Sequence, residues 1–111
     1  MGALSLGVRE ASHFSRQLAR YLADEEYRLL QKFLAAHPDA GAIIRGSGGL
    51  RKARWASRGK GKSGGVRIIY YWVRAQERIH LLLIYGKGEK ENLTPQDLRR
   101  VRALLEEIGN D

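Results

Sequence analysis

The spacing of apolar residues changes once along this chain, and that change most limits the fold it can adopt. Between residues 12 and 37 the apolar side chains recur every three or four positions, which is typical of amphipathic helices. From Leu50 onward they alternate or form short β-branched and aromatic runs, which is typical of strands. Helices followed by strands within 111 residues predict a single α+β domain spanning residues 1–111.

Two helices are predicted in the first third of the chain. One lies near 12–22, with Ser12 as its N-cap. The other lies near 24–37, with Asp24 as its N-cap and with acidic residues in its first turn. Because only a short link separates them, the two helices should form a hairpin.

Strands and a last helix make up the remainder. The periodicity favours a short edge strand within residues 3–9, and three further strands at 50–56, 66–73 and 79–85. Ile43 and Ile44, in the glycine-rich connector before them, are expected to enter the core. Thr94 and Pro95 predict the N-cap and first position of a helix that ends at Gly109.

Composition excludes several classes of function. The chain has no cysteine, so disulfides, thiolate metal sites and cysteine nucleophiles are ruled out. His13, His37 and His80 lack metal-ligand spacing, so no metal site is predicted. No run approaches the roughly 18–20 apolar residues of a membrane span. We therefore expect a cytoplasmic protein that has no membrane partner.

Positive charge is concentrated in the middle of the chain. The net charge is +8, and the 34-residue stretch 45–78 carries ten of the 20 Lys and Arg with Glu77 as its only acid. A localised excess of this kind indicates a polyanionic partner, with nucleic acid as the first candidate.

The glycine-rich loop 57–65 contains the pattern G-x-G-x-x-G, but a strand follows it. A dinucleotide site needs a helix at that point, whose N-terminus holds the pyrophosphate, so no nucleotide or other small-molecule cofactor is predicted. The loop also carries Arg58, Lys60 and Lys62 without an acid. It is either a solvated turn or a clamp for phosphate groups, and the cations on both flanking strands favour the clamp.

Strand alternation predicts which side of the sheet these basic side chains face. Lys52 and Arg54 should point to one side of their strand, while Ala53 and Trp55 point to the other. The apolar pair suits a face covered by helices, which would turn the basic pair towards an open, concave face. Arg67 stands within an apolar strand, where a guanidinium is costly unless it is paired or faces an anion.

The most specific motif is the stretch G-G-V-R-I-I-Y-Y at residues 64–71. Together with residues 48–54 and 83–89, it resembles the HigB-like branch of the RelE/ParE superfamily of bacterial toxins, and the similarity covers roughly residues 14–105. The resemblance implies a RelE-like fold, with a helical hairpin packed on a small antiparallel sheet and a C-terminal helix. It also implies an mRNA endonuclease that acts on ribosome-bound message, neutralised by an antitoxin that is a helix-turn-helix, HigA-like protein.

The resemblance also implies site residues. Lys52 and Arg54 match the paired basic residues of one strand, Arg67 matches the arginine before the I-x-Y segment, and Lys87 falls in the basic stretch after the last strand. Relatives often place a catalytic tyrosine beyond that strand, where this chain has Leu93. The residues expected to bind mRNA or rRNA are Arg51, Arg58, Lys60, Lys62 and Tyr85.

These residues predict a mechanism that needs no metal. RNA supplies its own nucleophile, the 2′-hydroxyl, so the protein has only to orient it, move its proton and stabilise charge. Lys52 or Lys87 is assigned to proton transfer, and Arg54 and Arg67 to transition-state charge. Two other functions stay open: inhibition of DNA gyrase, as in ParE-type relatives, and nucleic-acid binding without toxicity.

Overall fold

The computed structural model describes residues 7–56, 65–89 and 93–109. They form five strands, three α-helices and one 3₁₀ turn. In chain order these elements are β1 (Gly7–Glu10), α1 (Ser12–Tyr21), α2 (Asp24–Ala36), β2 (Ala42–Ile43), β3 (Arg51–Trp55), β4 (Val66–Val73), the 3₁₀ turn (Arg74–Gln76), β5 (Arg78–Gly86) and α3 (Pro95–Gly109).

The strands form one sheet in the order β1-β5-β4-β3-β2. β1 runs parallel to β5, and the other neighbouring pairs are antiparallel, so the sheet is mixed rather than wholly antiparallel. The α+β class, the helical hairpin and the C-terminal helix are confirmed. β1 lies at the sheet edge, which agrees with the short edge strand expected near the start of the chain.

The glycine-rich connector contains a strand that periodicity did not predict. Ala42 and Ile43 pair with Lys52 and Arg51 of β3, and a strand of two residues is too short to show alternation. The expectation that Ile43 enters the core was wrong, because this side chain is 60% exposed at the sheet edge. Ile44 does pack against the core.

Both predicted caps of the helical hairpin were wrong by one residue. The N-caps are Ala11 and Ala23, and neither uses a side chain as the cap. α1 starts where the chain leaves the sheet, since the Ala11 amide donates to the Leu81 carbonyl of β5 at 2.9 Å. At α2 the Glu26 carboxylate accepts the Ala23 amide at 2.8 Å.

The predicted start of α3 is confirmed. The Thr94 hydroxyl accepts the Asp97 amide at 3.1 Å, and the Asp97 carboxylate accepts the Thr94 amide at 2.9 Å. This reciprocal pair satisfies two backbone donors at the helix start. In the described parts of the chain, every helix is too short or too polar to cross a lipid bilayer.

Tyr70 ties the sheet to the connector after α2. Its side chain is fully buried on β4, and its hydroxyl donates to the Pro38 carbonyl and accepts the Gly41 amide, each at 2.8 Å. A Cβ on Gly41 would lie 2.8 Å from the Tyr70 ring, so glycine is needed at this position. The connector after α2 is thereby fixed to β4.

Candidate nucleic-acid interface

Two arginines and a tyrosine form one row across three adjacent strands. Arg54 of β3 pairs directly with Arg67 of β4, and Arg67 pairs directly with Tyr85 of β5. Directly opposed residues of an antiparallel pair project from the same face, with Cβ atoms roughly 5 Å apart. The strand register therefore brings these three side chains together.

Lys52 joins this face by alternation within β3. On the opposite face Ala53 is buried, and the Trp55 ring lies 5.4 Å from the Phe33 ring of α2. The helical hairpin thus covers that side of β3, and Lys52 and Arg54 lie on the other side. We call Lys52, Arg54 and Arg67 the cationic face.

The cationic face is open to solvent in part. Arg54 is exposed, while Lys52 and Arg67 are half-buried. Like charges directly opposite each other in a sheet are unfavourable, and they create a positive potential that attracts an anion. A phosphate group placed between them would relieve that repulsion.

Tyr85 lies at the border of the cationic face and is only 6% exposed. Burial raises the pKa of its hydroxyl; the charge of Arg67 works against this rise, and that of Asp97 adds to it. The phenol consequently keeps its proton at neutral pH and is available as a hydrogen-bond donor. No partner for the hydroxyl occurs within the described residues.

The turn after β5 is held beside the start of β4. The Lys87 amide donates to the Gly65 carbonyl at 3.2 Å, which places Lys87 next to the segment that leads to Arg67. One Glu89 carboxylate oxygen accepts the Gly86 amide at 2.6 Å and the Tyr21 hydroxyl at 2.7 Å. Lys87 itself is exposed.

Arg51 projects from the face opposite the cationic face. Its guanidinium donates to the Gly41 carbonyl at 2.8 Å and to the Asp39 carbonyl at 3.2 Å, and it lies 6.0 Å from the Trp72 ring centre. These contacts hold β3 against the connector. An additional role of Arg51 in RNA binding stays a prediction.

The loop cations Arg58, Lys60 and Lys62 lie outside the described residues, so their expected contacts with RNA also stay predictions. Leu93, where relatives often have a tyrosine, is half-buried and packs against the core just before α3. The tyrosine that the strand register brings beside Arg67 is instead Tyr85.

A cleft of about 590 Å³ opens between α1, β5 and α3. Leu83 and Tyr85 form its base, and its polar rim includes His13 and Arg16 of α1 and Arg100 of α3. Sequence spacing did not predict this rim, because the packing of α1 and α3 on the sheet brings its residues together. Across 7–56, 65–89 and 93–109, no three His, Asp or Glu side chains could jointly hold a metal ion.

Comparison with known proteins assigns the chain to a family. Residues 13–110 match the family described as the RelE toxin of the RelE / RelB toxin-antitoxin system. The fold is similar to that of the E. coli toxin RelE, solved in the free state as a double arginine-to-alanine mutant: the TM-score is 0.56 at 14% identity, covering 79% of this chain and 90% of that chain. This chain belongs to the RelE toxin family and is a toxin of a toxin–antitoxin system.

Proposed function

We propose that this toxin is an mRNA interferase: an endoribonuclease that cleaves message on the ribosome and so inhibits translation in the cytoplasm. The observation that supports this most is the direct pairing of Arg54 with Arg67, with Lys52 on the same face. Three cations on adjacent strands fit a phosphodiester better than an extended contact surface, because their charge converges on one small region.

The reaction follows from the chemistry of RNA. The 2′-oxygen attacks the neighbouring phosphorus, the bond to the 5′-oxygen breaks, and the products are a cyclic phosphate and a free 5′-hydroxyl. Negative charge builds up on the phosphoryl oxygens during this exchange. We assign Arg54 and Arg67 to the stabilisation of that charge, because the strand register sets them directly opposite each other.

Two proton transfers accompany the exchange. One of Lys52 and Lys87, acting as the neutral amine, takes the proton from the 2′-hydroxyl, and the other, acting as the ammonium, supplies one to the leaving 5′-oxygen. Lys52 lies two positions from Arg54 on β3, and Lys87 follows the end of β5 that carries Tyr85. Lys52 therefore belongs to the cationic face itself, whereas Lys87 follows the end of a different strand.

The partners of the proposed activity are RNA and protein. Arg58, Lys60, Lys62 and Arg51 would bind the mRNA backbone or rRNA through charge, and Tyr85 would contact mRNA beside the cut linkage. A helix-turn-helix antitoxin of the HigA type would neutralise the toxin. No cofactor takes part, because the substrate itself carries the nucleophile.

Inducing the toxin gene alone tests this proposal. Loss of translated mRNA within minutes, with new 5′ ends inside coding regions, is the expected result. Damage to chromosomal DNA with intact message would contradict the proposal in favour of gyrase inhibition, and normal growth would favour a nucleic-acid-binding domain. For a substitution on the cationic face such as Arg67→Ala, the matched control is Arg28→Ala, because Arg28 is an exposed cation paired with Glu25 on α2.

A further inference from the structure

The cleft between α1, β5 and α3 begins where the cationic face ends. Tyr85 belongs to both: it pairs with Arg67 in the strand register, and its ring forms part of the cleft base. Neighbouring strands lie about 4.8 Å apart, so Tyr85 is roughly 10 Å from Arg54 across the sheet. A ligand held between the arginines would therefore have its adjoining group at the mouth of this cleft.

The Tyr85 hydroxyl lacks a partner within the described residues although the side chain is more than nine-tenths buried. Buried hydroxyl groups in folded proteins are nearly always hydrogen-bonded, because leaving one unpaired costs free energy. A ligand that enters the cleft and accepts a hydrogen bond from Tyr85 would remove that cost. The Tyr85 hydroxyl is therefore available as a donor to a ligand in the cleft.

The cleft lining is apolar on its walls and nearly balanced in charge at its rim. Leu83, Val101 and Leu104 supply apolar surface from β5 and α3. At the rim, two arginines, Arg16 and Arg100, are offset by two acids, Asp97 and Glu107. A second phosphate would meet those carboxylates, whereas a neutral ligand with apolar faces and polar edges would not.

We propose that this cleft is a nucleobase subsite, in which the base adjoining the cut linkage lies between apolar walls and accepts a hydrogen bond from the Tyr85 hydroxyl. The proposal rests on the endonuclease function proposed above. A nucleobase has the required flat apolar faces and polar edge. The volume of about 590 Å³ also falls within the range of small-molecule sites, roughly 300–1,000 Å³.

Nuclear magnetic resonance of the full-length protein tests the subsite without any cleavage. Nucleoside 5′-monophosphates should shift the amide signals of Leu83, Val101 and Leu104, while ribose 5-phosphate, which has no base, should shift only those near Arg54 and Arg67. Tyr85→Phe should weaken nucleotide binding about 5- to 10-fold, the usual effect of one lost hydrogen bond. Tyr71→Phe is the matched control, because Tyr71 lies on β4 outside the cleft.

Several results would overturn the proposal. If ribose 5-phosphate shifts the cleft amide signals as much as the nucleoside 5′-monophosphates do, no base is recognised there. Unchanged nucleotide binding by Tyr85→Phe would show that the Tyr85 hydroxyl does not bind the base. A third contrary result has two parts. Ala103→Trp, which fills the cleft, would abolish antitoxin binding, and nucleotides would leave the signals of the cleft amides unshifted. The cleft would then be a protein docking site.

Mapping of cleavage sites separates this proposal from the broader one. If the toxin cleaves mRNA, Tyr85→Phe should flatten its preference for particular bases beside the cut while cleavage persists. If Tyr85→Phe cleaves mRNA with an unchanged base preference, the subsite is contradicted and the proposed nuclease function is not. Nucleotide-specific shifts in the cleft without any cleavage of translated RNA would contradict the nuclease alone.

Discussion

Arg54 and Arg67 face each other directly across the β3–β4 pair, and both side chains project from the sheet face opposite the helical hairpin. Opposed like charges weaken a strand pair, so this arrangement is unfavourable for the isolated fold. An anion bound between the two guanidinium groups would offset that cost. The proposed binding of a phosphodiester would thus act on the residue pair where the two strands carry like charges.

Arg67→Ala should abolish toxicity while the protein stays folded. The substitution removes one of the two guanidinium groups assigned to transition-state charge, and such a loss typically lowers rates about 10²- to 10³-fold. The measurement is growth after induction together with circular dichroism of the purified variant. Arg28→Ala should arrest growth as the wild type does, whereas full arrest by a folded Arg67→Ala variant would exclude Arg67 from the site.

The placement of Lys52 and Arg54 on one face was predictable from the sequence, because alternation along a strand depends only on local geometry. The pairing of Arg54 with Arg67 was not. The register between β3 and β4 depends on the length of the 57–65 loop, and the register that sets Tyr85 beside Arg67 depends on the β-bulge between Ile69 and Tyr70, where β4 shifts against β5. Neither leaves a periodic signal.

Other differences have tertiary causes as well. Ser12 was a reasonable cap by composition, but α1 begins at a backbone bond to β5 that the sequence does not reveal. The cleft residues His13 and Arg100 lie far apart in sequence and line one cleft only because α1 and α3 both pack against β5. Their spacing on each separate helix is that of ordinary surface residues.

Gly65→Ala should destabilise the protein strongly. Gly65 has a φ of +69°, and a Cβ there would lie 2.2 Å from the Trp55 carbonyl oxygen, so the backbone of β3 or β4 would have to move. We expect a loss of at least about 2 kcal/mol in the free energy of unfolding, measured by urea denaturation. Gly46→Ala is the control: its φ is +75° but nothing lies within 4 Å, so only about 1 kcal/mol should be lost. Equal losses in the two variants would contradict the steric account.

Tyr70→Phe should cost about 1–3 kcal/mol of stability, because it leaves the buried Gly41 amide without its acceptor. The ring and its packing in the core are retained, so the loss in the free energy of unfolding measures the contribution of the hydroxyl alone. Hydrogen exchange should become faster at the Gly41 amide. A variant as stable as the wild type would show that the hydroxyl does not hold the connector.

His80 should make stability fall on mild acidification. It is 2% exposed, and burial, with smaller contributions from Arg78 and Arg9, lowers its pKa from the usual 6.5. Above pH 6.5 the ring is neutral in both states and the stability is complete. As pH falls through that value, the unfolded chain gains a proton that the folded protein resists, at up to about 1.4 kcal/mol per pH unit.

Denaturation of His80→Leu between pH 7.5 and 5 tests this dependence. The substitution should remove the part of the pH dependence that comes from the buried ring. His37→Leu is the matched control, because it makes the same substitution at an exposed histidine. An identical slope in wild type and His80→Leu would assign the acid sensitivity to other groups.

Cleavage of a defined message on purified ribosomes measures the proposed activity and its dependence on the two arginines together. Wild-type toxin, Arg54→Ala, Arg67→Ala and Arg28→Ala are each added to ribosomes stalled on one codon, and the 5′ ends of the RNA are mapped over time. We expect a new 5′ end with wild type and Arg28→Ala, and about 10²- to 10³-fold slower formation of that end with Arg54→Ala or Arg67→Ala. The absence of a new 5′ end with wild type, or equally fast cleavage by Arg54→Ala and Arg67→Ala, would exclude the proposed arginine-dependent nuclease.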